Sequence, residues 1–152
     1  MSDKIFYVST TGIVVKDGKF LIAKRSEREK AFPGKWTVPG GKFQHGDYHQ
    51  LAPNKGGLWY EPVERALRRE IKEEVNLDID NIRYVTNITF VRPDAAHCLI
   101  LSYACDYVDG DVVLCDALTD HAWVSLAEAK KYDLIDGIYD ELAIVDKQLN
   151  RK

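Results

Sequence analysis

The sequence predicts an α/β fold, an α/β/α sandwich in which helices cover both faces of a mixed β-sheet. Three observations predict it. The elements follow one another as strands, loop, helix, strands and helices. Lys16-Asp17-Gly18 joins two β-rich runs, and Asp-Gly is a strong hairpin signal, so some pairing must be antiparallel. Leu99, Leu101, Tyr103 and Cys105 alternate with Ile100, Ser102 and Ala104, which leaves both faces of that strand largely apolar, as in a covered central strand.

Taken in order, Phe6 to Val15 and Lys19 to Lys24 form the hairpin. Residues 26–35 are polar, contain a Pro-Gly turn and read as a loop. Trp36-Thr37-Val38 is a short strand that ends at Pro39-Gly40-Gly41, where paired glycines allow a tight turn. Residues 42–60 are loop-like, and a loop of that length in a compact domain is usually functional or mobile. Within it, Tyr48 is a candidate for stacking on a substrate base, while Trp59 and Tyr60 are read as a staple to the core. His45 and His49, with Asp47 between them, have the spacing of a partial zinc site, but no further ligand is in view, and exposed loop histidines are the favoured reading.

The stretch from Glu61 to Leu77 reads as one helix. Pro62 is tolerated in a first turn, residues 63–75 contain no Gly or Pro, and Val63, Ala66, Leu67 and Ile71 form an apolar stripe. Asn76 sits where a helix often ends in a left-handed residue. Beyond it, Ile79 to Val91 and His97 to Tyr107 read as strands around an Arg92-Pro93-Asp94 turn. Asp111 to Leu114 and Ala122-Trp123-Val124 read as shorter strands. Ser125-Leu126-Ala127-Glu128 is a capping box that opens a short helix, and Ile138, Leu142, Val145 and Leu149 line a terminal helix.

A chain of 152 residues suits one domain, residues 1–152, rather than two of ordinary size. The formal net charge of −3 argues against a general nucleic-acid binder, which needs clustered Lys and Arg, but it allows a small anionic substrate if a divalent cation supplies positive charge locally. No apolar run approaches membrane-spanning length and MSDKIF has no signal core, so no membrane partner is expected. Cys98, Cys105 and Cys115 are odd in number and lack C-x-x-C spacing, which points to free thiols in a reducing, cytoplasmic setting. A homodimer is compatible with all of this.

The charges on the helix are unevenly placed. Glu70 lies three residues before Glu73 and four before Glu74, so three like charges share one surface, at a cost unless a cation or basic side chains sit among them. Carboxylate oxygens suit Mg²⁺ or Mn²⁺ far better than zinc. The alternative is a solvated face on which Arg65, Arg68, Arg69 and Lys72 balance the acids.

Glu61, seven residues, then Arg69-Glu70-Ile71-x-Glu73-Glu74-x-Asn76-Leu77 resembles the signature box of the Nudix hydrolase (MutT-type) family. That box runs glycine, five residues, Glu, seven residues, Arg-Glu-apolar-x-Glu-Glu-x-Gly-apolar. Two departures stand out: Asn76 replaces the final Gly, and nineteen residues rather than five separate Gly41 from Glu61. Residues 44–57 are therefore read as a loop insertion inside the box. Gly56-Gly57, a rival anchor, falls too close to Glu61 and lacks the Trp36-Thr37-Val38-Pro39 lead-in. The resemblance spans roughly residues 8–130 and implies a Nudix-like α/β/α sandwich with a mixed sheet.

By the same resemblance, Glu70, Glu73 and Glu74 hold Mg²⁺, or Mn²⁺, with the Gly41 carbonyl, and Arg69 orients Glu61 and the loop. One of these acids, or one from a later loop, is the base. Arg25, with Lys24 at the end of its strand, lies near where the family binds phosphates, although an exposed strand end accounts for both equally well. Asp116 and Asp120, before Trp123, lie where the family often reads a base or binds metal, although polar loop residues are the commoner role. His97 and Phe90, on the central strands, could line the pocket, with core packing the favoured role. The implied activity is pyrophosphohydrolysis of a nucleoside diphosphate derivative, first a nucleoside triphosphate giving monophosphate and pyrophosphate. Nucleotide sugars, ADP-ribose and dinucleoside polyphosphates are alternative substrates. A non-catalytic nucleotide-sensing module is disfavoured because no box acid is missing, and RNA cap removal because no basic tract is present.

Overall fold

The computed structural model describes residues 3–150. Seven strands form one mixed sheet. They are β1 (Tyr7–Lys16), β2 (Lys19–Arg25), β3 (Trp36–Thr37), β4 (Gly40–Lys42), β5 (Asp78–Val91), β6 (His97–Asp109) and β7 (Leu118–Val124). Helix α1 is Pro62–Val75, α2 is Leu126–Ala129 and α3 is Ile138–Leu149. The main order is β3-β2-β1-β6-β5, with β7 paired to β2 and β4 to β1. Strands β1 and β6 run parallel; the other pairs are antiparallel. No helix among the described residues is long and apolar enough to cross a membrane.

Period-two alternation along β1 and β2 divides the core. Val14, Leu21 and Ala23 pack with Leu67, Ile71 and Val75 of α1. Ile13, Val15, Phe20 and Ile22 pack with Ile138, Leu142 and Val145 of α3 on the other face. This is the expected sandwich. At Gly12 an added Cβ would lie 2.7 Å from Ile71 Cδ1, so only glycine lets α1 sit this low on β1. Truncating the fully buried Leu67 to alanine would cost about 3 kcal/mol.

The sheet is split where the site forms. Strands β1 and β2 pair only beside their turn, at Val15–Phe20 and Lys16–Lys19. Beyond that they part. The 36–42 segment crosses the gap, pairing first with β2 as β3 and then with β1 as β4, and Gly12 N–H donates to the Pro39 carbonyl at 2.9 Å between them.

Several expectations need correction. Residues 111–114 are not a strand. Val113 N–H and Cys115 N–H instead donate to the Val75 and Glu74 carbonyls, satisfying acceptors that the end of α1 leaves open. Strand β7 begins at Leu118, not Ala122. Gly40–Lys42 adds a strand that the glycines disguised. Strand β5 lies at the sheet edge, and both Phe90 and His97 are exposed on the far part of its hairpin with β6, away from the core and outside the cleft beside Gly41. Asn76 does end α1 in the left-handed region, with φ 63°.

Candidate active site

Helix α1 turns its apolar stripe to the sheet, which leaves its acidic side against the Gly40-Gly41 turn. Gly40 N–H donates to Glu74 Oε1 at 2.7 Å. Gly41 pairs with Thr10 of β1, and an added Cβ there would collide with the Glu70 carboxyl. Arg69 holds the rest together: Nη1 donates to Glu70 Oε1 at 2.7 Å and to Glu73 Oε2 at 3.3 Å. Glu70 and Glu74 thus lie against the Gly40-Gly41 turn, and Arg69 ties Glu73 to Glu70. Glu73, with its side chain 60% exposed, is the outermost.

The electrostatics are strained in one direction. Burial pushes the Glu74 carboxyl up to about 7, partly offset by the Gly40 N–H, with Glu70 adding repulsion. Burial also raises Glu70, against the lowering effect of Arg69. One guanidinium serves two of the three acids, so the cluster is short of positive charge. Its donors are all oxygen, which fits a hard divalent cation such as Mg²⁺. Among the described residues, no three His, Cys, Asp or Glu side chains already converge on a point: Glu70 and Glu73 face Arg69, and Glu74 faces Gly40.

Arg69 corrects the reading of Glu61. Its Nε donates to Asp47 Oδ1 at 2.5 Å and Nη2 to Asp47 Oδ2 at 3.1 Å, while Nη2 also reaches the Lys42 carbonyl at 3.1 Å. The two-point pair raises the Arg69 pKa. For Asp47, burial opposes ionisation, but the Arg69 and Gln44 hydrogen bonds outweigh it and hold the carboxyl below its usual range. Asp47 is 3% exposed. Glu61 is exposed, nine positions from Glu70 and so roughly on the opposite side of α1, in a groove with Glu64, Arg65 and Asp80. The missed signal was plain: Gly41 followed by five residues lands on Asp47. Asp47 occupies the box position assigned to Glu61, one methylene shorter, and the extra residues fall after it rather than before.

The other candidates divide. Arg25 lines a cleft of ≈ 160 Å³ with Glu74, Gly40, Gly41, Leu118, Ser9, Thr11, Thr37 and Val38, and its charge lowers the Glu74 pKa. Arg25 Nε donates to the Ala31 carbonyl at 2.7 Å, which fixes the guanidinium. Asp116 and Asp120 are both exposed and do not line the cleft; Asp120 Oδ1 accepts from His121 N–H. Tyr48 stacks on Phe43 with centroids 5.8 Å apart and tilts against Trp59 at 5.2 Å, so it staples the loop and stands outside the cleft. Tyr60 is exposed and contributes no staple to the core. Asp47 is committed to Arg69, which removes it from any zinc site with His45 and His49. Ser9, Thr11 and Thr37 were missed, since nothing in a strand sequence tells a cleft wall from a core position.

The chain is similar to known proteins in sequence and in fold. A family model described as NUDIX domain matches residues 7–142. The nucleoside triphosphatase NudI of Salmonella newport is 29% identical over 133 residues, covering 80% of this chain and 84% of that protein. The crystal structure of a MutT NUDIX hydrolase from Burkholderia pseudomallei superposes with a TM-score of 0.73 at 23% identity, covering 93% of this chain and 99% of the other. The NUDIX domain of Shewanella oneidensis NrtR, complexed with ADP ribose, gives 0.72 at 16% identity, with 97% and 90% covered. The chain belongs to the Nudix family of pyrophosphohydrolases.

Proposed function

We propose that the protein hydrolyses a nucleoside triphosphate to the monophosphate and pyrophosphate in a Mg²⁺-dependent reaction. The observation that carries this is the packing of Glu70 and Glu74 against the Gly40-Gly41 turn, at the mouth of a cleft that also holds Arg25. Similarity to a nucleoside triphosphatase supports the choice of substrate.

Glu70, Glu73 and Glu74, with the backbone at Gly41, are the residues that would hold Mg²⁺. When bound, the ion offsets phosphate charge and lowers the pKa of a coordinated water. The glycine at 41 leaves room for the Glu70 carboxyl beside the backbone. Arg69 positions Glu70 and Glu73, and Asp47 positions Arg69. Arg25, anchored through Ala31, binds a phosphate oxygen at the cleft mouth. At ≈ 160 Å³ the cleft is below the usual size of a small-molecule site, so it takes one part of the nucleotide while the phosphates lie along the acidic face.

A panel of nucleoside triphosphates, nucleotide sugars, ADP-ribose and dinucleoside polyphosphates, each assayed with and without Mg²⁺, tests the reading. Pyrophosphate and monophosphate should appear from a triphosphate only with the metal. Release of orthophosphate as the sole first product, or metal-dependent turnover of nucleotide sugars alone, would overturn it.

A further inference from the structure

The outer edge of β5 is guarded along one half and open along the other. Strand β5 ends the sheet order β3-β2-β1-β6-β5, and no strand among the described residues pairs with its far side. An open edge is a template for further pairing, and bulges, charges or prolines usually blunt it. Over residues 78–86 the ladder with β6 shifts register three times, Asn81 has φ 50°, and Asp78, Asp80 and Arg83 carry charge. Over residues 86–91 the ladder is uninterrupted, running opposite Ser102 to His97 of β6. Thr86-Asn87-Ile88-Thr89-Phe90-Val91 contains no charge, no proline and no glycine. A β-rich, uncharged run on an open edge is what self-contained sheets avoid.

The open half also carries apolar surface. Tyr84 is 52% exposed, Ile88 39%, Phe90 37% and Val91 56%. Together they leave about two whole large side chains in water, roughly 400 Å² per copy at about 200 Å² each. With the strand backbone and the exposed Asn87 and Thr89 added, two such edges joined would bury about 1,200 Å² in all, the lower limit of a standard specific interface. The edge is complementary to itself as well. Antiparallel strands related by a two-fold axis normal to the sheet set residues of the same face opposite one another. Thr86, Ile88 and Phe90 share one face, paired with Ser102, Ile100 and Cys98 of β6. An axis at Ile88, the middle of the three, sets Ile88 against its own copy and Phe90 against Thr86, an aromatic and β-branched pair.

We propose that a second copy of this chain covers the open edge, pairing antiparallel along residues 86–91 with Ile88 at the two-fold axis, so that the two sheets join into one. The pairing uses the open half-edge of both copies, so it closes at two. Strand β4, which carries Gly41, pairs with β1, and β6 separates β1 from β5, so each copy keeps its own cleft. The association is therefore independent of the substrate and of the proposed activity.

Sedimentation velocity of the full chain over about 1–100 µM tests this, and wild type should pass reversibly from monomer to dimer within that window. Ile88→Lys and Ile88→Glu each bring like charges together at the axis and should each weaken association at least about tenfold. Mixing those two variants should restore a dimer, because lysine then faces glutamate; the loss of an apolar side chain alone would not be rescued in this way. Ile88→Cys adds a gentler variant. Directly opposed Cα atoms in an antiparallel pair lie about 4.5–5.5 Å apart, within disulfide reach, so oxidation should link two copies through position 88, whereas wild type treated alike should stay unlinked. If the charged variants fail to fold, the cysteine variant decides the matter. A wild type that stays monomeric across the window or grows into ever larger species would overturn the proposal. So would folded charged variants that still dimerise, a mixture of them that stays monomeric, or a cysteine variant that gives no cross-link.

Discussion

Replacing Asp47 with asparagine isolates the contact that sets the loop on helix α1. The Asp47 carboxylate accepts three hydrogen bonds, from Arg69 Nε, Arg69 Nη2 and Gln44 N–H. Asparagine keeps one acceptor oxygen and turns an amide N–H toward the remaining donors. A charged hydrogen bond contributes about 1.5–3 kcal/mol, and breaking a fully buried ion pair costs about 3–5 kcal/mol. Arg69 is one-quarter exposed and keeps Glu70, so the lower part of that range applies, about 2 kcal/mol. At this chain length that lowers Tm by about 4–8 °C.

The matched control is Glu61→Gln, an exposed change expected to stay within about 0.5 kcal/mol. The pH dependence has a definite sign. The Asp47 pKa is lower folded than its ordinary 3.8, so its contribution is complete above that value and is lost as pH falls through the folded pKa. Thermal melts followed by circular dichroism should show the two proteins separated at pH 7 and converging in strong acid. Equal effects from Asp47→Asn and Glu61→Gln, or a gap that persists undiminished in acid, would refute the assignment.

Four other outcomes follow from the same geometry. Glu73→Gln should reduce turnover by more than about 100-fold, since even outer-shell partners of a metal contribute 10–100-fold, and its exposure predicts a melting temperature within a few degrees of wild type; near-normal turnover would remove Glu73 from the site. Gly41→Ala should displace the Glu70 carboxyl and lower activity more than stability, which parallel activity and melting measurements would check. The Glu74 carboxyl has a folded pKa of about 7, raised mainly by burial, so without metal the folded state gains stability below the unfolded value and loses it as pH rises toward 7; Glu74→Gln should therefore raise the metal-free Tm at pH 8 while abolishing activity, and a lower Tm would contradict the sign. Excising residues 49–58, which leaves Asp47 in place, should alter substrate preference more than folding, as a substrate panel and a melt together would reveal.

The sandwich was legible because period-two strands and a 3.6-period helix impose their patterns locally, and α1 declared both its core stripe and its acidic side. Gly40–Lys42 was not legible as a strand: glycine has low strand propensity, and the pairing is imposed by the gap between β1 and β2. Residues 111–114 looked like a strand by composition, yet their backbone is drawn to the carbonyls at the end of α1. Arg69 and the three acids were found from spacing along one helix, whereas their partner Asp47 lies 22 residues from Arg69 in a loop. Matching the glutamate by identity hid the aspartate that matched by position.

The central claim is that Glu70, Glu73 and Glu74 together bind the divalent cation that hydrolysis requires. Titrating metal-free protein with Mn²⁺ and counting free ion by electron paramagnetic resonance tests it directly. Saturable binding in wild type that weakens at least tenfold in each of Glu70→Gln, Glu73→Gln and Glu74→Gln is the predicted result. Undiminished Mn²⁺ affinity in those variants would contradict it.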